Sequence, residues 1–564
     1  MSIEKKKQFI FYVICIKYKL FLCSFGIILS LIYKKQHTFC FAFLQHPPLA
    51  YCLQLPVNVF VLRKADGEPS LIDKRDDRLR SLGVIYVGGV SILILSKPVL
   101  DLPLPPPYNH YYYERMRKTM AQTRQMTEGR PISLIFTFAL PLMIGNVFQQ
   151  LYTVIDTMVV GKALGVYALA ALGATDWMNW LMLSVIQGLT QGFGILMAQH
   201  FGAGRTADLR RTVGNSVLLA LLSSMVLLIF GLLMARPVLL LLQTPDNILE
   251  NALLYLRIMY AGIPIVMAYN LSASILRSLG DGKTPLYAMI TAALVNIALD
   301  LFFVLVLGLG IGGAAAATLI AQMISCLYCF YHIRKIEYLF MTPADFRLQS
   351  GLSIHLLLLG APMAFQNAII SIGGMIVQFV VNSFGVIFIA GFTATNKLYG
   401  VLEVAATSYG YAMVTYTGQN LGAGKTGRIR QGMRASLLIA LATSVLIAAC
   451  MLLFGKLILG CFISGTLEEF TQTMEIAYYY LSVMSICLPI LYILHVTRSV
   501  IQGMGNTVLP MVSGMAEFVM RAVTAVLLPR FIGETGIFYA EIMAWTGAVV
   551  ILVISYFIVI KKAE

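Results

Sequence analysis

Hydrophobic residues occur along this chain in long blocks separated by short polar segments, and from Pro131 onwards there are twelve such blocks. A helix needs about 20 apolar residues to cross a bilayer, whereas a membrane-spanning strand shows about 10 residues of alternating character. The blocks are rich in Leu, Ala, Ile and Gly, and they predict twelve transmembrane helices. The predicted ranges are 132–160, 166–199, 213–235, 248–278, 286–308, 312–333, 355–382, 387–419, 433–460, 471–502, 508–530 and 536–560.

The motifs between the blocks occur twice in the same order. The segment HFGAGRTADLRR at 200–211 aligns with NLGAGKTGRIRQ at 420–431, an offset of 220 residues, and Pro141 aligns with Pro362 at an offset of 221. Nearly constant offsets predict that six helices are duplicated as six more. Because each copy has an even number of helices, the two copies are parallel and are related by an axis along the membrane normal.

Composition and charge agree with a multi-pass membrane protein. The chain has 564 residues, of which 59% are hydrophobic and 12% charged, and its net charge is +15. Its basic residues cluster in alternate loops, which is the positive-inside signature of cytoplasmic loops and not that of a nucleic-acid-binding surface. Both ends of the twelve-helix region are therefore expected in the cytoplasm, with the protein in the cell membrane. The CxxC of Cys326 and Cys329 lies inside a predicted membrane helix, which favours packing over a metal site.

The repeat divides the chain into an N-lobe at 131–335, a linker at 336–354 and a C-lobe at 355–560. Residues 1–115 differ from both lobes and end in the Pro- and Tyr-rich stretch LPLPPPYNHYYYERMRKTM, which is typical of a linker. Three methionines precede the first strong span, and we expect the native protein to begin at one of them: Met116, Met120 or Met126. The alternative is that residues 1–115 provide an extra membrane anchor.

Several motifs together resemble the multidrug and toxic compound extrusion (MATE) family over about residues 127–560. They are PLMIGNVFQQLYTVIDTMVVG, the duplicated GAGR and GAGK loops, the turn RSLGDGKTP and a helix with Asn and Asp four residues apart. The resemblance implies an all-α fold with two pseudo-symmetric six-helix lobes around a central cavity. It also implies a monomeric antiporter that exports amphipathic, often cationic drugs and toxic compounds by alternating access, in exchange for Na⁺ or H⁺.

A carboxylate in the middle of an apolar helix needs a functional explanation. Asp300 lies in NIALDLFFVLVLG, and a charge at the centre of a membrane helix costs about 2.5–3.5 kcal/mol on insertion scales. Asn296 shares its helix face at i, i+4, and Asp156 is the second acid of the N-lobe spans. Such oxygens can bind a cation or take up a proton. The resemblance assigns Asp156, Asn296, Asp300 and Thr318 to a cation site, with Tyr255 as a hydrogen-bond partner. The open alternative is a structural pair between Asp300 and Arg257 or Arg277.

The C-lobe does not repeat these acids. The positions equivalent to Asn296 and Asp300 are Arg521 and Ala525, and Glu517 lies four residues before Arg521. The sequence therefore predicts an ion pair there and places the cation site in the N-lobe. Polar and aromatic residues of the other spans are predicted to line a cavity for an apolar cation. They are Gln149, Gln150, Trp177, Met178, Tyr399 and Glu403, where Glu403 can instead pair internally with Lys397.

Other functional classes have weaker support. A lipid-linked sugar flippase of the same superfamily fold would favour a cavity rich in Arg and Lys, whereas the N-lobe carries acids. A channel would repeat its selectivity residues in symmetric copies, which this chain does not do. GAGR, GAGK and LGDGKTP lack the Walker spacing, and no nucleophile and base stand together, so the sequence predicts no enzyme, no cofactor and no structural metal. Small molecules and the bilayer are the expected partners, and nucleic acid is not.

Overall fold

The computed structural model describes residues 125–460, 463 and 466–563, together with the backbone of three short strands at 59–62, 82–87 and 90–95. The strands β1 (Val59–Leu62), β2 (Leu82–Val87) and β3 (Val90–Leu95) form an antiparallel sheet in the order β1-β3-β2. Two hydrophobic runs occur in the sequence ahead of the twelve blocks, from Phe9 to Tyr33 and from Leu82 to Leu100. The second run contains the paired strands β2 and β3. The first run lies outside the described residues, as do Met116 and Met120.

From Pro131 onwards the chain is helical, and each predicted span has a helix. The N-lobe has α1 (Pro131–Leu164), α2 (Val166–Gly202), α3 (Thr206–Leu241), α4 (Asp246–Ala261), α5 (Ile263–Ser278), α6 (Lys283–Asp300) and α7 (Gly310–Ile333). The C-lobe has α8 (Ser350–Val381), α9 (Val386–Gly422), α10 (Thr426–Leu459), α11 (Leu467–Gly503), α12 (Val508–Ile532) and α13 (Ala540–Ala563).

Within the described residues, ten helices are long and apolar enough to cross a membrane. The fourth predicted span is the pair α4 and α5, which bend by 47° at Gly262 and form an eleventh candidate. The remaining predicted span, the eighth, is α9, whose 37 residues include Lys397 and Glu403 and which packs between α11 and α1. The all-α prediction with two six-helix lobes is confirmed.

The turns repeat with the helices. Gly204 and Gly424, in the GAGR and GAGK loops, both have φ of +69°, a left-handed conformation that glycine adopts without a Cβ penalty. These loops end α2 and α9, and the end of the bundle that carries them is called the GAG end below. Large apolar side chains such as Leu241 and Leu453, on the equivalent helices α3 and α10, are more than three-quarters exposed. Exposed apolar surface of this kind is suited to lipid.

The lobes exchange the first halves of two helices. Leu134, Phe138 and Leu142 of α1 pack in the hydrophobic core of the C-lobe, whereas Val159 and Val160 of the same helix pack in the N-lobe core. The equivalent helix α8 does the reverse. Its residues Leu356, Leu359, Met363 and Ala364 belong to the N-lobe core, and Val377 and Val381 belong to the C-lobe core. The change of core falls after Pro141 in α1 and after Pro362 in α8.

A short linker joins the lobes between α7 and α8. The backbone N–H and the hydroxyl of Thr342 donate to the Asp345 carboxylate at 2.7 and 2.8 Å. These bonds hold the pKa of Asp345 below its ordinary value. Asn215 of α3 fixes the linker to the N-lobe, because its side chain donates to the Arg347 carbonyl and accepts from the Gln349 N–H.

Candidate cation and substrate sites

The N-lobe brings its two predicted acids together. Asp156 lies in the second half of α1, and Asp300 is the last residue of α6. Their side chains lie within hydrogen-bonding reach of each other, and the residues are only 8% and 0% exposed. Two carboxylates in contact repel strongly, so the pair requires a proton or a cation to share. This is the chemistry expected of a cation or proton site.

Three further predicted residues surround the acid pair. Asn296 is 1% exposed and donates through Nδ2 to the Thr318 hydroxyl of α7 at 3.3 Å. Tyr255 of α4 lies close enough to Asp156 and Asp300 to interact electrostatically with both carboxylates. Among the described residues, Oδ1 of Asp156 and Oδ1 of Asn296 have no hydrogen-bond partner. Unpartnered buried oxygens are costly, and they provide hard ligands for a cation.

The two ends of α6 position these ligands. At its start, the Asp281 carboxylate accepts from the backbone N–H groups of Lys283 and Thr284, both at 3.0 Å, and from the Thr284 hydroxyl at 2.6 Å. At its end, the chain continues from Asp300 into the π-helical segment Leu301–Val306. Short π-helical segments occur frequently at functional sites because they shift the following side chains around the helix.

The predicted alternative partners of Asp300 have other surroundings. The Arg277 guanidinium lies over the Tyr411 ring, 4.5 Å from its centroid, so it faces the C-lobe helix α9. Arg257 is exposed on α4.

The C-lobe contains a buried network of alternating charges. Arg521 contacts Glu517 at 3.2 Å, as the spacing predicts, and also contacts Glu541 of α13 at 2.7 Å. Glu517 in turn contacts Arg498 of α11 at 2.6 Å. Two arginines and two glutamates neutralise one another, and Arg521 also donates to the Ile370 carbonyl of α8. This region is therefore not a second copy of the N-lobe acid pair.

Glu403 lies outside this network, on α9. Its neighbours Gly400 and Ser408, three residues before it and five after it, adjoin α1. A Cβ at Gly400 would lie 3.5 Å from the Gln150 amide, and Asn146 donates to the Ser408 hydroxyl at 3.3 Å. Glu403 Oε1 is 3.4 Å from His495 Nε2, and a third of the Glu403 side chain, 32%, is exposed. Glu403 thus combines a partly accessible charge with a contact to α11, on a stretch of α9 that adjoins α1.

The other predicted cavity residues have mixed surroundings. Tyr399 stacks on Trp545 with ring centroids 6.0 Å apart, and Trp177 reaches across to Gly374 of α8. Gln149 lies in α1, three residues before Tyr152 and on the same turn of the helix. Met178 differs, because it is 6% exposed and belongs to the N-lobe core. In this conformation Met178 is a packing residue.

Sequence reasoning missed two acids that lie near these groups. Asp176 of α2 is close enough to Asp156 to repel its charge, and Lys397 of α9 offsets the charge of Asp176. Glu541 lies at the start of α13, next to a loop, where a carboxylate is ordinarily solvated. The signal for both acids was their position inside a predicted span, 166–199 for Asp176 and 536–560 for Glu541.

Comparison with a family model gives a match over more than half of the chain. The MatE model matches residues 141–302 and again residues 362–527. The two matches fall in the two lobes and repeat the internal duplication.

Individual relatives agree with this match. A probable multidrug resistance protein from Bacillus subtilis, YpnP, is 28% identical over 413 residues, which cover 73% of this chain and 91% of that protein. An FAD transporter from Shewanella oneidensis is 24% identical over 330 residues, which cover 57% and 72%. The solved structure of a MOP superfamily transporter from Pyrococcus furiosus superposes with a TM-score of 0.73 at 22% identity, covering 78% of this chain and 98% of that one. The structural likeness shows a shared fold.

Proposed function

Since the chain belongs to the MatE family of multidrug efflux transporters, we propose that it is a cation-coupled antiporter that exports amphipathic organic cations. The observation that carries the proposal is the contact between Asp156 and Asp300 inside the N-lobe. A bilayer protein retains buried acids of this kind where they bind an ion or relay protons. The coupling ion is Na⁺ or H⁺, because carboxylates serve both.

The proposed cycle links this acid pair to the movement of α1. Binding of the cation removes the repulsion between Asp156 and Asp300, so α1 repacks in the N-lobe core. Pro141 interrupts the backbone hydrogen bonds of α1 near the position where the helix passes from one core to the other. A local repacking of the Asp156 half can therefore change how the lobes meet.

The energy for export comes from the cation gradient. Moving one charge down the membrane potential provides about 2.3 kcal/mol for each 100 mV, in addition to the concentration gradient. In this proposal the GAG end lies at the cytoplasmic face, where the exported compound enters, and the basic residues of its loops support that orientation.

The substrate site in this proposal lies between the lobes, near Glu403. A carboxylate beside aromatic rings is suited to an apolar cation, since the charge and the ring faces both attract it. Glu403 lies close to Tyr399, which stacks on Trp545. Gln150 faces the same helix from the N-lobe.

A flippase for lipid-linked sugars has less support. Its phosphate group would require free basic residues in the cavity. The two buried arginines of the C-lobe, Arg498 and Arg521, are each paired with a glutamate at 2.6–3.2 Å.

Competition at equilibrium tests the coupling. The purified protein would be titrated with a fluorescent organic cation at several Na⁺ concentrations and several pH values. Because coupling between two ligands is reciprocal, Na⁺ or H⁺ should weaken dye binding by about 5- to 150-fold. Asp156→Asn and Asp300→Asn should remove this dependence and still bind the dye.

The matched control is Asp208→Asn, which changes a half-exposed carboxylate at the GAG end of α3. It should behave like the unmodified protein. If the dye affinity of Asp156→Asn depends on Na⁺ and on pH as strongly as that of the unmodified protein, the proposal is contradicted. Binding of FAD in place of the dye would shift the substrate class to nucleotides, the class named for the Shewanella relative.

A further inference from the structure

The tightest contact between the lobes lies at the GAG end. A Cβ at Gly202 would overlap the Gln419 carbonyl, and a Cβ at Gly422 would overlap the Gln199 carbonyl. Gly202 and Gly422 are equivalent residues of the repeat, at the offset of 220 that also relates Gln199 to Gln419. The backbones of α2 and α9 therefore meet reciprocally, which only glycine permits.

Two side chains close this contact in the same reciprocal way. Gln199 Nε2 of the N-lobe donates to the Gly503 carbonyl of the C-lobe at 3.2 Å. Gln419 Nε2 of the C-lobe donates to the Ser278 carbonyl of the N-lobe at 2.9 Å. Ser278 and Gly503 are themselves related by the offset of 225 found in this part of the repeat. One hydrogen bond and its symmetry mate thus join the ends of α2, α5, α9 and α11.

The space between the lobes beside the hydrogen bonds of Gln199 and Gln419 is narrow. A cavity of about 20 Å³ lies between the lobes, with Arg277, Ser278, Tyr411 and Thr415 in its wall. This is room for about one water molecule. The Thr415 hydroxyl donates to the Arg277 carbonyl, and Gln191 donates to Tyr411, both at 3.2 Å and both between lobes.

Of the two glutamines, Gln419 has an additional contact, with the segment that precedes α1. The backbone N–H of Met126 donates to Gln419 Oε1 at 2.7 Å, and Met126 is 1% exposed. The carbonyls of residues 126, 127 and 129 accept from Asn420, Lys425 and Arg428 of the C-lobe. The segment 126–130, called the strap, leads directly into α1. The helix that carries Asp156 is thereby tied to Gln419.

We propose that Gln199 and Gln419 form a reciprocal latch that holds the GAG end closed, and that the strap connects the Gln419 half of the latch to α1. The latch must open for a compound to enter from this end. Its two hydrogen bonds bias the conformational equilibrium of the lobes and are independent of which ion drives transport. Loss of either bond should favour the state that is open at the GAG end.

Accessibility of a single cysteine measures this equilibrium without any transport. Thr415→Cys in a cysteine-free background would be treated with a membrane-impermeant maleimide in vesicles of both orientations. A net hydrogen bond contributes about 0.5–1.5 kcal/mol, which corresponds to a roughly 2- to 10-fold change in population. Gln199→Leu and Gln419→Leu should each raise the labelling rate by this factor, and the double variant by more.

The matched control is Gln502→Leu. Gln502 is also a buried glutamine at the GAG end, but its amide donates to Gln366 of its own lobe at 3.3 Å. It should leave the labelling rate unchanged. An equal rise in Gln502→Leu, or no rise in either latch variant, would overturn the proposal.

A reversible cross-link gives a second measurement that does not depend on the latch glutamine variants folding. The side chains of Gln191 and Tyr411 meet across the lobes at 3.2 Å, beside the small cavity. Gln191→Cys with Tyr411→Cys should be joined by a short bifunctional thiol reagent, which should stop export, and export should recover when the link is cleaved by reduction. Continued export by the cross-linked protein would show that this end does not open during transport and would contradict the latch.

Discussion

At the scale of single residues, the two lobes handle buried charge differently. The N-lobe places two carboxyl groups together, whereas the C-lobe surrounds each buried carboxylate with arginine. The Glu517–Arg521 pair could be predicted from the spacing of the two residues on one helix. The contacts of Arg521 with Glu541 and of Arg498 with Glu517 could not, because they join helices that are distant in sequence.

Arg521→Met should strongly destabilise the protein. Arg521 is 4% exposed and contacts two glutamates, so its loss leaves Glu541 buried without this partner. Breaking a buried ion pair from one side costs about 3–5 kcal/mol. Thermal unfolding in detergent would measure the loss. The double variant Arg521→Met with Glu541→Gln, which keeps Glu517 paired with Arg498, should recover much of it; a single variant as stable as the unmodified protein would contradict the network.

Glu403→Gln should weaken export of cationic compounds selectively. A partly exposed charge contributes up to about 1 kcal/mol to binding, so the KM for a cationic dye should rise up to about fivefold. The KM for a neutral compound of similar size should not change. Glu475→Gln, an exposed C-lobe acid on α11, provides the control. An equal loss for cationic and neutral compounds would argue against a role in charge recognition.

At the scale of elements, the twelve spans and their duplication could be predicted because apolar length and motif order are local properties of the chain. The π-helical segment after Asp300 could not, because no proline marks it. The bend between α4 and α5 has a local signal in Gly262 and Pro264, but Pro489, the repeat equivalent of Pro264, lies inside the unbroken α11, so the proline alone does not predict the break. The exchange of helix halves between the lobes is a tertiary property, although Pro141 and Pro362 mark its position.

Asp281→Ala should loosen the start of α6. The carboxylate accepts from two backbone N–H groups and one hydroxyl, as a helix-capping residue does. Loss of such a cap costs about 0.5–2 kcal/mol, so the Tm should fall. Ion-dependent dye binding should weaken with it, because α6 carries Asn296 and Asp300. Asp246→Ala, which removes an exposed first-turn acid of α4, should change neither quantity; a fall in Tm of the same size there would point to a general effect of charge.

At the scale of the whole molecule, the pseudo-symmetry is strict in the backbone and broken in the sites. The GAG loops, the latch and the exchanged helices occur in both copies. The acid pair occurs only in the N-lobe, and the strap contacts only the Gln419 half. In the proposed cycle, this difference corresponds to an N-lobe that binds the ion and a C-lobe that responds. The sequence offsets predicted the symmetry, but the strap depends on contacts between residues about 300 positions apart.

Removal of the first 115 residues should preserve folding and export. The matched family region begins at residue 141, and the strap begins at Met126. Removal of the first 130 residues should instead raise labelling of Thr415→Cys at the GAG end, because the strap is lost. Expression, Tm and labelling of the two truncations would be compared. Equal labelling in both would show that the strap does not hold the latch.

The most direct test of cation-coupled export is dye efflux with the two gradients imposed separately. Vesicles loaded with a fluorescent organic cation would receive either a Na⁺ gradient or a pH gradient, with the unmodified protein and with Asp300→Asn. We predict efflux that follows one of the two gradients and is lost in Asp300→Asn while the amount of protein in the membrane is unchanged. Efflux that ignores both gradients, or that persists at the full rate in Asp300→Asn, would contradict the account.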